Sequence, residues 1–176
     1  MPLSPALRQL FARLDECPGT PSVSDLERCL LEAPLDLADV LPHTASDRDH
    51  YVRTLLRVTD CYESLVMCWL PGQHSPVHDH GGAACGVRLM QGAATETMYT
   101  IGSDGLADPI LRRVFYAGDV VSASDDDVHS LGNFVLPGEE HHWPMALVTL
   151  HVYAPGLGNC RKYRTREATI SAASFM

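Results

Sequence analysis

The sequence predicts an all-β core, a small antiparallel sandwich or barrel, with helices packed on its outside. From about Tyr51 onward, short runs rich in Val, Leu, Thr and Tyr alternate with turn signals at Pro71-Gly72, Gly102 to Gly105, Ala117-Gly118 and Pro137-Gly138, the punctuation of closely spaced strands. Before Tyr51 the apolar residues recur at helical spacing instead. A chain of 176 residues with 45% hydrophobic content can bury one substantial core, and its length argues for one domain rather than two. Residues 1–45 are read as a helical segment, 46–165 as the β body and 166–176 as a tail of a single domain.

The helical segment divides in two. Ser4 is placed as an N-cap with Pro5 at the first helical position, and Leu7, Leu10, Phe11 and Leu14 follow before Pro18 and Gly19 stop the run. A second helix is expected to begin at Ser24, with Glu27 completing a capping box and Leu26, Cys29 and Leu30 forming its apolar stripe as far as Pro34. Both stripes are expected to pack against the β body.

Composition excludes several partners. A net charge of −9 argues against binding a phosphate backbone. No apolar run approaches the roughly 18 residues that cross a bilayer, and Met1–Arg8 has neither the basic start nor the apolar centre of a signal peptide. The expectation is a cytoplasmic monomer that binds neither nucleic acid nor membrane. Six cysteines without a secretion signal are read as reduced thiols.

The β body carries the chemistry. His78 and His80 are one residue apart, and on an extended chain such a pair points to one face. Their imidazoles can then share a metal ion, with His129 completing a three-nitrogen site and leaving positions open for substrate. A bare His-x-His pair is more often a surface or core pair, so its surroundings matter. The adjacent His141 and His142 in the connection from Phe134 to Met145 are set aside as ligands, because neighbours on a strand face opposite ways, and His74 is read as structural. Asp125, Asp126 and Asp127 lack the spacing of a calcium loop and are read as a solvated turn.

Two further strands present polar rows. Alternation puts Tyr51 and Arg53 on one face, so that a phenol and a guanidinium can enter one cavity. In Thr149-Leu150-His151-Val152-Tyr153 it gathers Thr149, His151 and Tyr153 opposite Leu150 and Val152. Either that row is solvated, or it faces the interior and each group hydrogen-bonds the next. Beside a three-histidine site the second reading is preferred.

The spacing around the histidines resembles a known pattern. Gly72 stands six residues before His78 and Gly92 twelve after His80; Gly118 precedes His129 by eleven and Asn133 follows it by four. These two blocks resemble the paired motifs of the cupin superfamily, whose fold is a small antiparallel β-barrel (jelly roll). Two departures are plain. Gly81 to Ala84 and then Cys85 stand where many cupins carry a glutamate, and Ser124 and Asp126 replace the usual proline and glycine. The first departure suggests a three-histidine site with no carboxylate ligand.

Tyr51 to Arg53, Cys68-Trp69, Gly72 to His80, Cys85, Gln91-Gly92, His129 to Asn133, and Thr149 to Pro155 followed by Cys160 together resemble the cysteine dioxygenases, the thiol dioxygenase branch of the cupins. The resemblance implies a mononuclear ferrous site, held by His78, His80 and His129, that adds dioxygen to the sulfur of L-cysteine to give cysteine sulfinic acid. It implies that Arg53 binds the substrate carboxylate with Tyr51 beside it. Tyr153 would hydrogen-bond near substrate and oxygen, oriented by His151 and by Thr149, which stands where the family usually has serine. Trp69, Met67 and Cys160 would line the pocket. Cys85 occupies the position from which eukaryotic members form a thioether with the tyrosine matching Tyr153.

Alternatives remain open. The substrate could be 3-mercaptopropionate or another small thiol acid, although relatives with that preference tend to carry glutamine in place of Arg53. The histidines could instead hold zinc in a hydrolase or lyase, or the chain could be a cupin that only binds a small anion.

Overall fold

The computed structural model describes residues 1–124, 127–134 and 145–166. The tail beyond Arg166, the centre of the Phe134 to Met145 connection with His141 and His142, and Asp125 with Asp126 lie outside the described residues.

Helix α1 spans Pro5–Asp15, with the Ser4 hydroxyl accepting from the Leu7 amide and proline in the first turn, as expected. Helix α2 spans Val23–Glu32 and starts earlier than expected. Its N-cap is Ser22, and the reciprocal box is Ser22 with Asp25, not Ser24 with Glu27. Both pairs have the spacing of a capping box, and it is Ser22 that adopts the extended backbone a cap requires. A short helix α3, Leu37–Val40, leads through a 3₁₀ turn at Leu41–His43 into the strands.

Among the described residues ten strands follow: β1 Val52–Val58, β2 Glu63–Trp69, β3 Val77–His78, β4 Ala84–Gln91, β5 Ala93–Ile101, β6 Ala107–Tyr116, β7 Val120–Ala123, β8 Val128–Gly132, β9 Leu147–Ala154 and β10 Lys162–Tyr163. They form two antiparallel five-stranded sheets, ordered β1-β2-β9-β4-β7 and β10-β3-β8-β5-β6. The expected small barrel is thus two facing sheets rather than one closed hydrogen-bonded ring. Gly92, between β4 and β5, and Gly118, between β6 and β7, have φ of 83° and 100°, the left-handed region where a side chain is unfavourable.

The first sheet is covered on both faces. Along β9, Val148, Leu150, Val152 and Ala154 join Leu7, Leu10, Leu26 and Leu30 of the helices in one apolar cluster. Each of those leucines is fully buried, contributing roughly 1.5–3 kcal/mol over an exposed position. This burial holds α1 and α2 against the sheet. At the closest approach, a Cβ added to Gly86 would stand 2.8 Å from Leu30 Cδ1 and 3.0 Å from Leu26 Cβ. The end of α2 is secured from the same strand, where Arg88 donates to the carbonyls of Leu30, Ala33 and Leu35 at 2.7, 2.7 and 3.1 Å; a cation suits the carbonyl end of a helix. The other face of β9 points between the sheets, and with it Thr149, His151 and Tyr153.

Candidate metal centre and active site

The three histidines converge. His78 ends β3 and pairs with His129 of β8 in the sheet register, while His80 lies just past β3, before the Gly81-Gly82 turn. One ring nitrogen from each lies within 4.8 Å of the others, and His129 Nε2 is 3.2 Å from His80 Nε2. Burial, reinforced by the neighbouring rings, holds His78 and His80 down to about 4. Both are therefore neutral near pH 7, the form that binds a metal.

Hydrogen bonding fixes two of the tautomers. His78 Nδ1 is 2.9 Å from the Pro76 carbonyl, which can only accept, so Nδ1 carries the proton and Nε2 keeps its lone pair. His129 Nδ1 donates in the same way to Glu96 Oε1 at 2.7 Å. The Nδ1 atoms of His78 and His129 are thus taken up by oxygen acceptors, which leaves their Nε2 atoms as the ones to offer a metal, and three imidazoles so grouped fit a first-row divalent cation.

Sequence alternation grouped the polar residues of β9 but could not show their connection. Trp69 Nε1 donates to Thr149 Oγ1 at 2.9 Å, Thr149 Oγ1 is 2.8 Å from His151 Nε2, and His151 Nδ1 is 3.1 Å from the Tyr153 hydroxyl. All four residues are buried. Burial, and then the cationic Arg53 and neighbouring histidines, keep His151 well below its ordinary range, so its ring carries one proton. The Thr149 hydroxyl accepts from Trp69, so an unbroken line of hydrogen bonds runs from the indole through Thr149 and the singly protonated His151 ring to the Tyr153 oxygen at the cavity. Burial, foremost, holds Tyr153 well above its ordinary range, so the phenol stays protonated.

A cavity of about 170 Å³ opens onto these groups, and Met67, Trp69, Cys85, Leu157 and Cys160 complete its wall. Tyr51 stacks on Trp69 with ring centroids 4.0 Å apart. Arg53 lies opposite Met67 in the β1–β2 register and also lines the cavity, but it is exposed, standing at the mouth. Cys85 and Tyr153 are direct cross-strand partners of β4 and β9. The peptide bond Ala154-Pro155 is cis, and all six cysteines are free thiols.

Three features escaped the sequence reading. Asp79, between the histidines, accepts from the Gly81 and Arg161 amides at 3.0 and 2.9 Å and from the Tyr163 hydroxyl at 2.8 Å. Glu63 accepts from the Leu157 amide at 3.1 Å. Together they hold the segment carrying Leu157 and Cys160 across the cavity. The third is Glu96 on β5, which is 3% exposed and joins His129 to Arg113. Burial favours its protonated form, but the bonds to His129 and Arg113 outweigh that and hold the carboxyl below its usual range. The signal available in the sequence was a lone carboxylate inside Ala93-Ala94-Thr95-Glu96-Thr97-Met98, a strand otherwise free of charge.

Residues 36–166, which take in all the described strands and this site but not α1 and α2, match the family model described as cysteine dioxygenase type I. The chain belongs to that family. Curated relatives include cysteine dioxygenase type 1 of Homo sapiens, 24% identical over 163 residues that cover 91% of this chain and 76% of the human one. The Danio rerio protein of the same name is 27% identical over 124 residues, 68% of this chain and 59% of its own length, so that match spans less than two thirds of the relative. Among solved structures, a Klebsiella pneumoniae protein with a double-stranded β-helix domain superposes with a TM-score of 0.53 at 18% identity, covering 74% of this chain and 96% of that one. A Thermus thermophilus protein gives 0.50 at 17% identity, covering 67% and 95%. These likenesses establish the cupin-type fold. No helix among the described residues is long and apolar enough to cross a membrane.

Proposed function

We propose that this chain is an iron(II)-dependent thiol dioxygenase that adds both atoms of dioxygen to the sulfur of L-cysteine and releases cysteine sulfinate. The observation that carries the reading is the convergence of three imidazoles, those of His78 and His80 held neutral by burial, beside a buried phenol that lines the same cavity. His78, His80 and His129 would hold the iron, which when bound gives thiolate and dioxygen a common place to react. Three neutral ligands leave the cation's charge uncompensated, which favours an anionic sulfur.

The remaining steps fall to the protein. Arg53 at the mouth takes the carboxylate through its planar fork, with Tyr51 fixing the adjoining wall by its stack on Trp69. Tyr153 donates its hydroxyl hydrogen toward oxygen as negative charge develops there. His151, anchored by Thr149 and Trp69, holds the phenol oxygen in place through a hydrogen bond of 3.1 Å. Leu157 and Cys160 close the wall against water. The same reading has the protein act as a cytoplasmic monomer on two small molecules, L-cysteine and dioxygen.

An oxygen-electrode assay on ferrous-reconstituted protein tests the proposal, with cysteine, 3-mercaptopropionate and cysteamine as substrates. Oxygen uptake with cysteine well above the other two is the expected result. Preference for 3-mercaptopropionate would transfer the substrate assignment, and a zinc-loaded protein inert after iron reconstitution would overturn the oxygenase reading. Tyr153→Phe is expected to lower kcat about 10- to 100-fold with KM changed little, the signature of a group that acts mainly in the transition state; steady-state kinetics would show it.

The register pairing of Cys85 with Tyr153 supports a covalent link as part of this reading. The thiol and one ring C–H each lose hydrogen, a C–S bond forms, and two protons and two electrons pass to dioxygen, giving hydrogen peroxide. Intact-mass analysis after turnover is expected to show a loss of two hydrogens, mapped to peptides containing Cys85 and Tyr153. An unchanged mass would leave Cys85 a small buried thiol.

A further inference from the structure

We propose that Glu96 and Arg113 are positioning residues that set the metal affinity and the reduction potential of the three-histidine centre from outside it. Glu96 Oε1 accepts from His129 Nδ1 at 2.7 Å, while Glu96 Oε2 accepts from Arg113 Nε at 3.1 Å and Nη2 at 2.6 Å. One carboxylate thus joins a metal-facing imidazole to a surface cation. The register makes this connection rigid: Glu96 of β5 lies opposite Arg113 of β6 and beside Leu131 of β8, and its neighbour but one, Met98, lies opposite His129. Arg113 is held further by its guanidinium over the Phe115 ring, 5.4 Å from the centroid, and by the Met98 sulfur at 3.4 Å.

The two charges act in opposite senses. The carboxylate makes His129 a more basic ligand and fixes its ring plane, as partners of metal-bound histidines generally do. The guanidinium draws part of that charge away. Its side chain is 42% exposed on an edge strand, so solvent weakens its share without removing it. A site with no carboxylate among its ligands therefore has one acting through an imidazole, and a surface arginine moderates it. Merely structural roles in joining β5, β6 and β8 would not give the two residues opposite effects on the metal.

The test compares Glu96→Gln with Arg113→Met. Affinity is measured with cobalt(II) by chelator competition, which needs no turnover, and the potential by spectroelectrochemistry of the iron-loaded protein. Glu96→Gln is expected to weaken cobalt binding roughly 10- to 100-fold and to move the iron potential upward, because lost negative charge disfavours the ferric state. Arg113→Met keeps the apolar stem of a rim residue; its cobalt binding should tighten and its potential should move downward. Shifts of the same sign in both variants, or none, overturn the proposal. Arg113→Met carries the test alone if Glu96→Gln does not fold. The potential rests on the iron reading of the site, but the cobalt affinity does not, so a protein that proves inert toward cysteine would still decide the role of Glu96.

Discussion

Replacing His80 by Ala should empty the metal site and bring thiol oxidation down to background. Its imidazole is 1% exposed and stands edge-on to His129, with ring centroids 4.8 Å apart and the two Nε2 atoms 3.2 Å apart. Partners that only orient a ligand are worth roughly 10- to 100-fold in metal affinity; removal of a ligand itself should exceed that. The expected result is metal well below stoichiometric by elemental analysis, oxygen uptake indistinguishable from buffer with ferrous iron, and an unchanged near-ultraviolet circular dichroism spectrum. The spectrum matters because His80 packs against Tyr153 as well. A variant that keeps stoichiometric iron and turns over cysteine would remove His80 from the ligand set and with it the central assignment.

Arg53→Ala should raise KM for cysteine by about 10- to 100-fold. The figure corresponds to the roughly 1.5–3 kcal/mol of a hydrogen bond to a charged group, at a factor of about ten for each 1.4 kcal/mol. A fully desolvated ion pair would justify more, but Arg53 stands exposed at the cavity mouth, where water competes for the same guanidinium. Lysine at this position should recover part of the loss, since it restores charge without the planar fork. Cysteamine, which has no carboxylate, supplies the control: its KM should be the same in Arg53→Ala and the parent protein. An unchanged KM for cysteine would place the carboxylate elsewhere, with Lys162, another cation lining the cavity, as the next group to test.

Much of the site was legible because strand periodicity is a local property. The Thr149, His151 and Tyr153 row needed only alternation along one strand, and the structure places all three on the interior face of β9. Tyr51 with Arg53 followed the same rule, and the glycines at 92 and 118 announced the turns that bring strands back on themselves. Capping was less decisive. Ser22-Asp25 and Ser24-Glu27 have identical spacing, and the extended backbone at Ser22 selected the first pair.

The amino-acid sequence by itself determined which residue types share a face: two histidines in one extended run, a hydroxyl, imidazole and phenol in another, and an apolar stripe on each of the first two helices. Only the tertiary structure decided which faces meet. His129 reaches His78 through a cross-strand register, Glu96 reaches His129 and Arg113 across two more, and Asp79 fastens a segment some eighty positions away over the cavity. The physical reason is that alternation is set within a strand by backbone geometry, whereas register is set by how whole faces pack and by the turns between them. A carboxylate in β5 therefore carries no mark of its partner until the sheets are formed.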